Sequence, residues 1–320
     1  MSHHELQRIY AAHVYYDIRA ELEKRPSAPP CTQVDTFDGL KAIIPQAEVL
    51  VVSMLWRNEL LDIAPRLRLI QSISSGVEQF DLDRLKERGI RLCNARGVNA
   101  NAVAEHALAL MLNLARRLYE ARDNQKIARW STTGTDERPR LQELSEKKAL
   151  IVGMGTIGDR IARLCLALGM QVSGARHSAR PLDVPGVTQV NMTDLHDALH
   201  EADYVILTCP LTAQTEHLID RRAFAAMNPD ACLINVARGR VVEEAALIEA
   251  LTTDRIAGAA LDTYAEEPLP SFSPLWSLPN LVMTGHTAGE TQFYERNVVD
   301  ILMKNITALE NGTEMINRIV

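Results

Sequence analysis

The chain has 320 residues, 47% of them hydrophobic and 23% charged. That balance excludes a disordered, collagen-like or disulfide-stapled protein and predicts one large domain or two ordinary ones around a substantial core. Its 34 basic and 41 acidic residues give a net charge of −7 with no Lys/Arg cluster, so no nucleic-acid partner is expected. Met1 to Lys24 carries charges throughout, unlike a signal peptide, and no run approaches the ~20 apolar residues of a membrane span. Five scattered cysteines (Cys31, Cys93, Cys165, Cys209, Cys232) show neither disulfide nor metal spacing and read as reduced core residues. A cytoplasmic protein with no membrane partner and no metal is expected.

The first hundred residues alternate β-rich runs (Arg8 to Tyr16, Val49 to Ser53, Leu67 to Ile73) with helical stretches (Glu59 to Ala64, Leu82 to Arg88). This rhythm predicts a parallel sheet with crossover helices. Pro26, Pro29 and Pro30 mark a loop. An Ala- and Leu-rich segment, Ala102 to Arg129, has helical spacing, with small residues on one face that suit close packing against a helix or a second subunit. Arg129 to Glu146 is polar, contains Gly134 and Pro139, and reads as an extended excursion. A second β/α series starts at Lys148, with strands at Ala149 to Val152, Met170 to Gly174, Tyr204 to Thr208, Cys232 to Val236, Ile256 to Leu261 and Leu281 to Thr284. The last helix spans Thr291 to Glu310 and is stopped by Asn311-Gly312.

The run Gly153-Met154-Gly155-Thr156-Ile157-Gly158 follows a strand, opens a helix and precedes a second strand, which is the context of a dinucleotide-binding loop. Gly153 permits the tight turn, Gly155 the approach of a pyrophosphate, and Gly158 close packing of helix and strand. Amides near Thr156 and Ile157 then face the phosphates from a helix N-terminus. The end of the second strand selects the dinucleotide, because an acid about 20 residues beyond the glycines normally holds the adenosine ribose. Here the segment is Gly174-Ala175-Arg176-His177-Ser178-Ala179-Arg180, with no acid before Asp183. Losing the acid removes repulsion against a 2′-phosphate, and Arg176, with Arg180, can clamp one. NADP(H) is favoured over NAD(H), the alternative being an exposed arginine beside a cofactor that tolerates the missing acid.

Three further strand ends of this series carry capable residues: Arg238 in Ala237-Arg238-Gly239, Glu267 in Asp262 to Pro268, and His286 in Gly285-His286-Thr287-Ala288-Gly289. Ligands bind at such strand ends in open α/β sheets. An arginine can grip a carboxylate and carbonyl, and a histidine beside a carboxylate is a general acid. Singly, each also suits a surface salt bridge, a helix-flanking acid or a turn. His3, His4, His13, His106, His196, His200 and His217 stand without such company.

In order along the chain come Ser74-Ser75-Gly76-Val77, Val103-Ala104-Glu105-His106, the glycine loop, Cys209-Pro210-Leu211-Thr212 with Thr215, Asn235-Val236-Ala237-Arg238-Gly239, Ala260-Leu261-Asp262 through Glu266-Glu267-Pro268-Leu269, and His286 to Gly289. With these the sequence resembles the D-isomer-specific 2-hydroxyacid dehydrogenases from about Val49 to Asn311, near the glyoxylate/hydroxypyruvate reductases. The resemblance implies an α/β protein of two Rossmann-like domains, one flavodoxin-like and one dinucleotide-binding, with parallel sheets and a cleft between them. Residues 1–98 with 290–320 would bind substrate and 99–289 the cofactor. The implied reaction is hydride transfer between NAD(P)H, favoured as NADPH, and a 2-keto acid, giving a D-2-hydroxy acid.

The same resemblance assigns roles. Arg238 binds the substrate carboxylate and keto oxygen, His286 protonates that oxygen, and Glu267 pairs with His286. Main-chain amides of Ser74, Ser75, Gly76 and Val77 grip the carboxylate. Asp262 meets the nicotinamide carboxamide; Cys209, Pro210 and Thr215 run along the adenosine and ribose. Val103, Val236, Ala237, Ala288 and Gly289 complete the cofactor contacts, with Arg176, His177 and Ser178 at the ribose. Trp56 and Arg57 are candidates for reading the substrate side chain, or equally a loop that caps the core. A homodimer is implied. The sequence departs from the family in having Gly285, where proline is usual, before the histidine. An NAD(H)-sensing corepressor-like binding protein and a short-form phosphoglycerate dehydrogenase remain alternatives. A formate-type enzyme is disfavoured because glutamine would stand where Glu267 does.

Overall fold

Short runs of β-branched and apolar residues, buried on both faces, build the scaffold. A computed structural model describes residues 6–130, 140–177 and 180–320. Ser178, His3, His4 and residues 131–139 of the polar excursion, Gly134 and Pro139 among them, lie outside the described residues. The chain divides into two compact units, Met1–Asn99 with Thr291–Val320, and Ala100–Glu290.

The first unit contains strands β1 (Ile9–Ala12), β2 (Cys31–Val34), β3 (Val49–Val52), β4 (Leu69–Ser72) and β5 (Arg91–Cys93), with helices α1 (Ile18–Glu23), α2 (Phe37–Ile43) and α3 (Leu82–Glu87). All strands are parallel, in the order β2-β1-β3-β4-β5. Alternate residues feed opposite faces, as the period of two requires. Ile9, Ala11, Val49, Val51 and Leu69 pack with Val298, Val299 and Leu302 of the C-terminal helix. Tyr10, Ala12, Leu50, Val52 and Ile70 pack with Leu40, Leu60 and Leu85. Buried Asn305 donates to Gln71 Oε1 on β4 at 3.0 Å, a polar link that fixes the helix on the sheet.

The second unit contains α4 (Ala100–Arg116), α5 (Leu118–Lys126), β6 (Lys148–Val152), α6 (Thr156–Ala167), β7 (Gln171–Ala175), β8 (Val187–Val190), α7 (Leu195–Glu201), β9 (Tyr204–Leu207), α8 (Arg221–Ala226), β10 (Cys232–Asn235), α9 (Glu244–Thr252), β11 (Gly258–Leu261) and β12 (Leu281–Met283). Its seven strands form one parallel sheet, ordered β12-β11-β10-β9-β6-β7-β8. The final helix, α10 (Tyr294–Asn311), returns to the first unit and ends on Gly312, whose φ of 66° is the left-handed C-cap conformation. Two parallel Rossmann-like sheets are the fold class that the sequence implies.

Several elements differ from the sequence reading. The first strand stops at Ala12, and His13 to Tyr16 form the loop beyond it. The Glu59 to Ala64 stretch is a 3-10 helix, Asn58–Ile63. The long helix expected from Ala102 to Arg129 is two helices, broken where Arg117 takes a left-handed φ of 48° and Tyr119 N–H donates to Asn113 Oδ1 at 2.9 Å. All five cysteines are free, and among the described residues no helix is long and apolar enough to cross a membrane.

Candidate active site

In the second sheet the strand order reverses between β6 and β9, so both loops leaving those strands flank the switch point where such sheets bind ligands. After β6, Gly153 has a φ of 114°, and a Cβ there would lie 2.4 Å from Cys209 N in the other loop. Only glycine lets the two loops touch. Thr208 Oγ1 donates to Gly153 O at 2.7 Å, closing the contact. Gly155 precedes α6 and no side chain caps the helix, which leaves its first-turn amides to an anion. A bare helix N-terminus behind a glycine cradle fits a dinucleotide pyrophosphate.

Around this cradle, Thr215 Oγ1 donates to Pro210 O at 2.6 Å and accepts from Thr212 N at 2.8 Å, which folds the loop after β9. Cys209 is buried, and burial pushes its thiol up to about 11, so it stays a neutral packing group. Val103, Val236, Ala237 and Ala288 are buried apolar residues. Arg176 follows β7, and its guanidinium donates to the carbonyls of Arg180 and Pro181, while Arg180 pairs with Asp183 at 2.7 Å. Arg176 thus stands directly after β7, bonded to the carbonyls of Arg180 and Pro181.

On the other half of the same edge, Asn235, Leu261 and Met283 stand side by side in register on β10, β11 and β12. Arg238 follows the first of these strands and His286 the third, each after the same short step, with the Glu267 loop leaving β11 between them. Asn235 shapes the first turn, donating through Nδ2 to Arg238 O at 3.1 Å and accepting Ala237 N–H at 3.0 Å. The Arg238 side chain is exposed, with one bond back to Ala237 O at 2.7 Å. A Cβ on Gly239 would lie 1.8 Å from the Tyr264 carbonyl carbon, so this glycine is where the arginine and glutamate loops meet.

The Glu267 carboxylate bridges two groups: Oε1 accepts Tyr264 N–H at 2.9 Å and Oε2 lies 2.6 Å from His286 Nδ1. Nδ1 therefore carries a proton toward the carboxylate, and Nε2 remains for a substrate. The Tyr264 hydroxyl donates to Thr284 O at 2.7 Å; burial holds this phenol above its ordinary range, so it stays a donor. Asp262 is 1% exposed. Its Oδ1 accepts from Thr284 Oγ1 at 2.6 Å and Thr287 N at 2.8 Å, and its Oδ2 accepts Ala288 N–H at 2.9 Å. These bonds hold the loop that carries His286.

His106, which stands apart in the sequence, has company in the fold: its Nε2 is 3.0 Å from Thr284 Oγ1 and 3.7 Å from Asp262 Oδ1. Asn235, Tyr264 and Thr284 likewise have roles that no sequence spacing marks. Among the described residues no group of His, Cys, Asp and Glu could hold a metal ion.

In the first unit, the Ser74 hydroxyl contacts Ser53 Oγ at 2.8 Å and Gly76 O at 2.9 Å, and Asn94 Nδ2 donates to Ser75 O at 2.7 Å. The loop is held through hydroxyls and carbonyls, while the amides of Ser75, Gly76 and Val77 have no acceptor among the described residues. Trp56 is only 1% exposed, its ring tilted against Phe80 and its N–H given to Asn58 at 2.9 Å. It belongs to the core of this unit. Arg57 is exposed and donates to Trp56 O at 2.8 Å.

A parallel α/β dinucleotide-binding sheet with an Arg, Glu and His on its carboxyl edge defines the chain as a pyridine-nucleotide oxidoreductase by architecture. Residues 108–288 match the D-isomer specific 2-hydroxyacid dehydrogenase, NAD binding domain. A glyoxylate reductase of Thermococcus gammatolerans is 34% identical over 258 residues, 80% of this chain and 77% of its own. A glyoxylate/hydroxypyruvate reductase B of Pectobacterium carotovorum is 35% identical over 301 residues, 92% of each chain. The solved D-lactate dehydrogenase of Lactobacillus jensenii, crystallised with NAD+, superposes with a TM-score of 0.82 at 26% identity, over 96% of this chain and 98% of that one. The chain belongs to the D-isomer-specific 2-hydroxyacid dehydrogenase family. It is an NAD(P)-dependent dehydrogenase that interconverts 2-keto and D-2-hydroxy acids.

Proposed function

We propose that the protein is an NADPH-preferring reductase of a small 2-keto acid of the glyoxylate or hydroxypyruvate type, with His286 as proton donor, Glu267 as its partner and Arg238 as the substrate clamp. The 2.6 Å contact between His286 Nδ1 and Glu267 Oε2, on the sheet edge where Arg238 also follows a strand end, carries this reading. A reduced pyridine nucleotide bound at the glycine loop would supply the hydride. Negative charge that grows on the keto oxygen is met by the Arg238 guanidinium and the proton on His286 Nε2, the arrangement electrostatic catalysis requires. Glu267 takes a hydrogen bond from His286 Nδ1 and so aims the ring. The amides of Ser75, Gly76 and Val77, which have no acceptor among the described residues, suit a carboxylate, and the exposed Arg57 a substrate side chain. Gly153, Gly155, Thr156 and Ile157 would hold the pyrophosphate, Asp262 and Gly289 would border the nicotinamide, and Arg176 with His177 would meet the 2′-phosphate.

Two of the relatives named above are a glyoxylate reductase and a glyoxylate/hydroxypyruvate reductase, which supports acids of that size as substrates. Apolar side chains exposed on α5 and just beyond it, Leu118, Ile127 (69% exposed) and Trp130 (89% exposed), support a homodimer. The free thiols suit a reducing, cytoplasmic setting.

The test is loss of reduced-nicotinamide absorbance with purified protein, NADPH against NADH, over glyoxylate, hydroxypyruvate, pyruvate, phenylpyruvate and phosphohydroxypyruvate. Turnover preferring NADPH with one of the first two acids is expected. A preference for phosphohydroxypyruvate would instead make this a short-form phosphoglycerate dehydrogenase, and cofactor binding without turnover a sensing protein. His286→Ala should lower kcat by roughly 10²–10⁴-fold, the usual worth of a general acid.

A further inference from the structure

At the base of the His286 loop, Asp262 and Thr284 leave neighbouring strands side by side, and helix α4 brings a third group to them. Thr284 Oγ1 lies 2.6 Å from Asp262 Oδ1, while its other nearby acceptor, Leu261 O, is at 3.5 Å. A hydroxyl has one proton to give, and the close, buried carboxylate takes it. Thr284 therefore turns a lone pair to His106, and the Nε2 of His106, at 3.0 Å, must carry the proton that fills it. Asp262, so oriented, receives the amides of Thr287 and Ala288. Those amides directly follow His286, whose φ of 56° is a conformation that a non-glycine residue keeps only while its surroundings impose it.

We propose that His106 is a positioning residue for the reaction, the outer end of a hydrogen-bond chain from His106 Nε2–H to the Thr284 hydroxyl to Asp262 that sets the aim of His286. The proposal rests on His286 being the proton donor. The two bonded residues are 178 positions apart. His106 lies soon after the chain enters the second unit at Ala100, and Thr284 to Ala288 lie just before it leaves at Glu290. One hydrogen bond thus joins the segments beside both chain crossings to the loop that bears the acid.

The experiment compares His106→Leu and His106→Gln, with Thr284→Val and Thr284→Ser as the second pair, using glyoxylate or hydroxypyruvate, whichever turns over faster. Cofactor Kd is read from nicotinamide fluorescence and folding from Tm. His106→Leu should lower kcat by roughly 10–100-fold, since displacement of a reacting group by about 1 Å costs up to ~10²-fold. KM and cofactor Kd should stay within about twofold, as for an interaction felt mainly in the transition state. His106→Gln, which keeps a donor, should recover most of the loss. Thr284→Val should behave as His106→Leu and Thr284→Ser as the parent, and this pair decides alone if His106→Leu does not fold. Full kcat in His106→Leu or Thr284→Val, equal loss in His106→Leu and His106→Gln, or a loss confined to cofactor affinity overturns the proposal. Retained turnover in His286→Ala would instead overturn the assignment of the acid.

Discussion

His286 Nδ1 lies 2.6 Å from Glu267 Oε2, while the other oxygen of that carboxylate accepts the Tyr264 amide at 2.9 Å. The glutamate is fixed by the backbone of its own loop before it meets the histidine, so the pair is set by the turn after β11 rather than by two free side chains. Glu267→Gln keeps an acceptor for Tyr264 N–H but presents no charge to the imidazole. Its kcat in keto-acid reduction should fall by roughly 10–10²-fold, part of the 10²–10⁴-fold worth of the acid itself. Unfolding curves should be nearly unchanged. Equal kcat in Glu267→Gln and parent would remove Glu267 from the mechanism.

Two glycines, one beside Arg238 and one beside His286, answer oppositely to a methyl group. At Gly239 the added Cβ would lie 1.8 Å from the Tyr264 carbonyl carbon, so the loops of Arg238 and Glu267 must separate. Gly239→Ala should cost on the order of 1–3 kcal/mol or more, as overpacking does, and disable turnover with it. Gly285 has nothing within 4 Å of its Cβ direction and no left-handed φ. Gly285→Ala should stabilise by about 0.4–1 kcal/mol through the unfolded chain and leave kcat intact. Chemical denaturation with parallel kcat measurements checks both, and a neutral Gly239→Ala would refute the loop contact.

The parts that could be read in advance were those in which one local pattern decides the outcome. Buried parallel strands are continuous apolar runs, and Ala149 to Val152 followed by the glycine loop admits few other folds. Edge strands lack that signal: β2 and β8 are only partly buried and carry Thr32, Gln33, Thr188 and Gln189. The break at Arg117 was hidden because the apolar spacing runs on into α5, while the cause is a side chain, Asn113, capturing the Tyr119 amide. Strand ends placed Arg238, Glu267 and His286 on one edge. His106 could not be paired with Thr284 by spacing, since only packing of α4 on the sheet brings them together. Trp56 could be divided between pocket and core only by its burial.

A second histidine makes stability depend on pH. His13, at the end of β1, is buried, and its Nδ1 accepts the amides of Tyr15 at 3.1 Å and Tyr16 at 3.0 Å. Burial lowers its pKa from the usual 6.5, so the unfolded chain binds the proton more readily. Stability then rises with pH between the lowered folded value and 6.5, and is lost as pH falls through that window. Protonation at Nδ1 would also break both amide bonds. Urea titrations from pH 7.5 to about 5 should show this decline, and His13→Asn, which keeps an acceptor without a titrating ring, should flatten it. A parent protein with constant stability over that range would refute the coupling.

The proposed NADPH preference rests on Arg176, which can do two jobs. Its guanidinium already donates to the Arg180 and Pro181 carbonyls, and it stands directly after β7, where an acid would repel a 2′-phosphate. A phosphate is a stronger acceptor than a carbonyl, and a charge-assisted bond to it is worth about 1.5–3 kcal/mol. Arg176→Ala should therefore raise KM for NADPH by roughly 10–10²-fold, the equivalent of that energy, while KM for NADH moves by no more than about twofold. If the arginine only shapes the loop, both constants should rise together, because the whole adenosine side would loosen. Initial rates with each cofactor at saturating keto acid separate the two results. A parent enzyme that already prefers NADH would refute the phosphate clamp before any mutant is made.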